Sequence, residues 1–185
     1  MARKDAKNYV LDTETGKYDY IGMRYYVMAD EKDFKRFKRW GLLASLALVA
    51  LFLGTGMIMY GGMYCIYVQL PNVLMVIGAF VLCYQMMKLF GKQMELTEAA
   101  NRRLMHVHWA SLMSAICGGL AAAGHVLYSV LNGWQQGDVI FIVLTLLSVP
   151  LGILVFLLAR KCPTEPLLID DVPQEDVEEI PGLSE

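Results

Sequence analysis

Between Gly41 and Met87 the chain has no charged residue, and between Trp109 and Ala159 it has one, Asp138. Apolar runs of that length are not core helices of a soluble domain, because a helix needs only about 20 apolar residues to cross roughly 30 Å of hydrocarbon. Other absences exclude chemistry. There is no glycine-rich phosphate loop, so the chain alone is not an ATP-driven motor. No H-E-x-x-H or G-x-S-x-G is present, which removes membrane proteases of those types. The four cysteines, Cys65, Cys83, Cys117 and Cys162, include no C-x-x-C pair. They support neither a disulfide framework nor a thiol oxidoreductase. No apolar span carries the carboxylate of a small proton-driven exporter. Residues 1–7 are polar and contain no short apolar signal core, so the first hydrophobic helix is expected to act as an uncleaved anchor.

What remains is an all-α integral membrane protein of 185 residues, 56% hydrophobic, with mean hydropathy +0.43. The formal net charge of −2 hides an asymmetry: ten of the sixteen Lys and Arg residues precede Gly41, and eight of the eighteen acids follow Cys162. Four spans are expected, at about 41–60, 73–89, 109–131 and 139–159, forming a four-helix bundle over residues 41–161. Gly61-Gly62 and Pro71-Asn72 bracket the first connection. Thr97 and Glu98 open the helix that becomes span 3, and Asn132-Gly133 to Gly137 form the third connection. Pro150 is expected to kink span 4.

Residues 1–29 read as a small arm. Tyr9-Val10-Leu11 and Tyr18-Asp19-Tyr20-Ile21, around a turn containing Gly16, suit a β-hairpin that Met23–Val27 continues. Residues 30–40 form a basic amphipathic helix capped by Asp30. Its Phe34, Phe37 and Trp40 are expected at the membrane interface, joined there by Trp109 and Trp134. An interfacial collar is preferred over a dedicated lipid site. Residues 162–185 are expected to be a disordered acidic tail. Two units in it, Ile169-Asp170-Asp171-Val172-Pro173 and Val177-Glu178-Glu179-Ile180-Pro181, repeat with an offset of eight residues. Ile169, Val172, Val177 and Ile180 are its candidate partner-binding side chains.

Lys and Arg alternate by connection: ten in the arm, none in the first loop, four in and beside the second, none in the third, two after span 4. By the positive-inside rule both termini and the middle loop are cytoplasmic. Compact loops suit the plasma (inner) membrane of a prokaryote.

Span 3 holds the densest pattern. Ser111, Ser114, Gly118, Ala121 and Ala122 share a face of small residues that lets backbones approach closely. Packing within the bundle is preferred over an oligomeric or partner contact. His125 lies on the same side, about 7 to 8 Å from the span's middle at 1.5 Å per residue. An ionisable residue inside a span is a functional candidate. A structural histidine satisfied by Ser129 is preferred, with Asp138 within reach but expected chiefly to cap span 4. His106 and His108, two apart, do not form a metal pair on a helix. No metal site, cofactor or catalytic residue is expected, and nucleic acid is not an expected partner.

The function expected is that of a non-enzymatic accessory, scaffold or assembly subunit acting through protein contacts. The alternative is a small transporter or channel component using the span-3 face and His125. A membrane-protein partner or a homo-oligomer follows from either.

Overall fold

The computed structural model describes residues 9–11, 18–20 and 22–167. The candidate tail residues Ile169, Val172, Val177 and Ile180 lie outside them. Four helices dominate: α1 (Glu31–Gly56), α2 (Ile66–Phe90), α3 (Glu98–Asn132) and α4 (Asp138–Arg160). All four are long and apolar enough to cross a membrane, by length and composition. α3 packs most extensively on α2 and α4, and α1 closes the bundle against the same two helices.

Hydropathy marks the apolar runs but underestimates the helices. α1 begins at Glu31, so the basic segment and the first span are one helix. α2 begins at Ile66, ahead of Pro71, which the sequence reading places in a loop. The helix is already started by Val68 and Gln69, whose N–H groups donate to the Cys65 carbonyl at 3.0 and 2.9 Å. Pro71 lacks the N–H that would donate to the carbonyl of Tyr67. That carbonyl faces Gly124, where an added Cβ would stand 3.0 Å from its oxygen. α3 starts at Glu98, and the Thr97 hydroxyl accepts from the N–H of Ala100 at 3.4 Å. α4 continues through Pro150 to Arg160.

Among the described residues, five short strands complete the fold. β1 (Tyr9–Leu11) pairs antiparallel with β2 (Tyr18–Tyr20). β3 (Arg24–Val27) does not prolong β2. It is the centre of a separate antiparallel sheet, between β4 (Glu95–Thr97) and β5 (Thr164–Pro166). The tail expected to be unfolded from residue 162 therefore opens with a paired strand. The Met28 N–H donates to the Pro163 carbonyl at 2.8 Å, and Leu167 N–H to the Arg24 carbonyl at 2.8 Å. The Thr164 hydroxyl donates to the Asn101 side-chain oxygen at 2.7 Å. This sheet gathers the N-terminal segment, the α2–α3 connection and the chain after α4 at one end of the bundle. An even number of long helices returns the chain to that end.

The sheet explains a misplacement. Phe34 and Phe37, expected at a lipid interface, are 1% and 0% exposed. They belong to a core with Val27, Met86, Leu89, Leu96, Leu104 and Cys162. A three-residue spacing puts the two rings on one helical face, and that face meets the sheet and the ends of α2 and α3. Trp40 falls outside this face and is exposed, as are Trp109 and Trp134. Burying each phenylalanine is worth about 1.5–3 kcal/mol relative to exposing it.

Candidate functional site

The end of the bundle opposite the sheet holds a buried histidine and a buried carboxylate. His125 and Ser129 are one turn apart on α3, and Asp138 is the first residue of α4. Above them passes the α1–α2 connection, a 3₁₀ turn at Gly61–Tyr64 preceded by Tyr60. His125, Ser129 and Asp138 are all 0% exposed.

The Asp138 carboxylate joins the pieces. Its Oδ1 accepts from the Gly61 N–H at 3.0 Å and lies 3.0 Å from His125 Nε2. Its Oδ2 accepts from the Gln135 N–H at 2.8 Å and the Ser129 hydroxyl at 3.0 Å. An ionised carboxylate is an acceptor at every position, which suits this set of donors. Asp138 was expected to cap α4. Instead Gly137 holds the cap position, no side chain caps the helix, and the carboxylate turns back to the loops and to α3. The physical reason is competition: three other elements offer it donors that a cap geometry would leave bare. Ser129 is not the ring's partner either. Its hydroxyl faces the His125 carbonyl and Asp138, each at 3.0 Å.

The imidazole sits in an aromatic box. Phe141 lies edge-on at 4.8 Å between ring centroids, Tyr60 edge-on at 5.2 Å, and Tyr128 near-parallel at 6.1 Å. Tyr60 also stacks on Phe141 at 3.9 Å, and its hydroxyl accepts from the Gln69 amide at 2.5 Å. Among the described residues neither ring nitrogen makes a well-directed hydrogen bond, and Nε2 lies 3.0 Å from Asp138 Oδ1. Among the described residues Nδ1 has no hydrogen-bond partner, and it faces Gly62, where an added Cβ would come within 2.6 Å of it. Glycine is required there because the backbone passes directly over the ring.

The small-residue face of α3 is consumed inside the bundle. Ser111, Ser114, Gly118, Ala121 and Ala122 are all buried. A Cβ at Gly78 of α2 would meet Ser114 Oγ at 2.6 Å, and one at Gly152 of α4 would meet the Ser111 carbonyl at 2.7 Å. The Ser148 hydroxyl donates to the Thr145 carbonyl at 2.6 Å and reaches the Ser114 carbonyl at 3.5 Å. His108 Nδ1 lies 3.0 Å from the Leu104 carbonyl, while His106 lines an apolar groove between α2 and α3.

Tyr60, Gly61, Gly62, Gln135 and Phe141 were not singled out for this cluster from sequence. The adjacent glycines were the available signal, since paired glycines mark close backbone approach as well as a loop. The chain matches no protein-family model, no curated protein and no solved structure.

Proposed function

We propose that this chain is a multi-pass membrane protein that acts through protein contacts, as an accessory, scaffold or assembly subunit, and not as an enzyme. The observation that carries the reading is the closure of the ionisable cluster. His125 and Asp138 are fully buried and tie three elements together with their polar atoms. A transport site needs its ionisable groups reachable from one side. A clamp needs them sealed, as here. The aliphatic positions of the acidic tail, Ile169, Val172, Val177 and Ile180, are the proposed contacts to a partner. Acids steer its approach and aliphatic side chains fill pockets.

Orientation and location are part of the proposal. The end bearing the β3–β4–β5 sheet is cytoplasmic and the His125 end faces outward, in the plasma membrane of a prokaryote. The charge alternation supports this, and the sheet joins the three segments that the positive-inside rule assigns to one side. A cysteine placed at Gly16 should resist an impermeant thiol reagent in intact cells. Labelling without permeabilisation contradicts the orientation.

A small transporter or channel component is the second reading, favoured by the unpartnered His125 Nδ1. Crosslinking followed by purification from native membranes separates the two. One stoichiometric partner, lost when residues 167–182 are deleted, supports the contact reading. Self-association alone opposes it.

A further inference from the structure

A crevice of about 550 Å³ runs between the start of α1 and the end of α4, at the end that carries the sheet. Its lining divides by chemistry. Leu154, Leu157 and Leu158 form one part; Arg36, Arg160, Lys161 and Asp33 form the other. Among the described residues, none of the three cations is in an ion pair, in contrast to Lys35, which pairs with Glu31 at 2.6 Å. Leu154 and Leu157 are 39% and 49% exposed, and the apolar surface continues along α4 through Ile153, Leu147 and Leu146.

We propose that this crevice is a binding site for an anionic glycerophospholipid, with its phosphate held by Arg36, Arg160 and Lys161 and an acyl chain lying on Leu154 and Leu157. The inference rests on the membrane reading above. Charge complementarity chooses the occupant: three cations against one acid leave the polar part net positive, and the apolar floor leads directly onto the lipid-facing side of α4. A soluble anion would have no use for that floor, and a zwitterionic lipid no net attraction to the cations. Asp33 faces the same space and is suited to accept a hydrogen bond from a headgroup hydroxyl. Arginine gives the paired donors that suit a phosphate. The simpler role for Arg160 and Lys161 is to end the span and balance the α4 dipole, a role that requires no selectivity among lipids.

The test is native mass spectrometry of the full chain released from nanodiscs, titrated with phosphatidylglycerol or phosphatidylcholine of matched acyl chains. Failure to enter nanodiscs as a folded monomer or oligomer would oppose the membrane reading itself. Once incorporated, the protein should retain phosphatidylglycerol in preference to phosphatidylcholine. Each neutralised cation should weaken that binding about fivefold, and Arg160→Gln with Lys161→Gln together about 30-fold. Leu157→Trp, which fills the floor and keeps every charge, should also weaken it, as should Arg36→Gln if the double variant does not fold. Lys32→Gln with Arg39→Gln removes the same charge outside the crevice and should leave binding unchanged. Equal retention of both lipids, equal losses in the two double variants, or displacement by millimolar inorganic phosphate would overturn the proposal.

Discussion

Replacing Asp138 by alanine removes the acceptor of three donors and the neighbour of His125 Nε2. Two of these have nowhere else to turn: the N–H of Gly61 and the N–H of Gln135, which donate at 3.0 and 2.8 Å. Ser129 keeps the His125 carbonyl at 3.0 Å. His125 loses its charged neighbour in a box of Tyr60, Tyr128 and Phe141. A buried donor left bare costs about 1–3 kcal/mol, so the two N–H groups set an expected loss of about 2–6 kcal/mol, which for a chain of this size lowers Tm by roughly 4–24 °C. Asp138→Asn should cost less, because the amide oxygen still accepts from one side while its NH2 group faces donors on the other. Adding His125→Phe to Asp138→Ala should recover part of the loss, since the ring is then apolar among aromatics. The assay is thermal unfolding of the full chain in one detergent. A Tm for Asp138→Ala within about 2 °C of wild type, or strict additivity in the double variant, would refute the clamp.

Gly62→Ala should destabilise the same end, because its Cβ would come within 2.6 Å of His125 Nδ1, whereas Gly56→Ala meets nothing within 4 Å and should be neutral or slightly stabilising; paired melting curves check both. Phe37→Ala should cost about 3–5 kcal/mol and Trp40→Ala under about 1 kcal/mol, measured by denaturant titration, because the first ring is core and the second is exposed. Burial, with the Asp33 charge adding to it, pushes the Cys162 thiol up to about 11 from an ordinary 9.0. The neutral thiol is therefore favoured in the folded state. Its contribution is complete below pH 9 and is lost as pH rises from there to about 11. Alkylation of Cys162 in the folded chain should accordingly be far slower than that of Cys65, followed by mass spectrometry.

The four helices are legible because a charge-free run is a property of adjacent residues. So is the start of α3, where Thr97 and Glu98 stand together. What sequence reading missed depends on residues far apart along the chain. Phe34 and Phe37 have the spacing of an interfacial stripe. They become core only because β4 and β5 arrive beside β3 from about 70 and 140 residues further on. Asp138 reads as a helix cap until Gly61, 77 residues earlier, is seen to present its N–H to the carboxylate. The small-residue face on α3 could be recognised as a packing face, but its neighbours, Gly78 and Gly152, could not be assigned to it from spacing alone.

Proton movement across a reconstituted membrane tests the central claim most directly. The full chain is placed in liposomes enclosing a pH-sensitive dye, and a pH gradient is imposed with the potential clamped. If His125 and Asp138 form a sealed clamp and the protein acts through contacts, the gradient should decay no faster than in protein-free liposomes. His125→Gln should then change nothing in the flux while lowering the melting temperature. A proton flux that depends on wild-type protein and disappears in His125→Gln, with the fold retained, would contradict the account and establish the pair as a transport site.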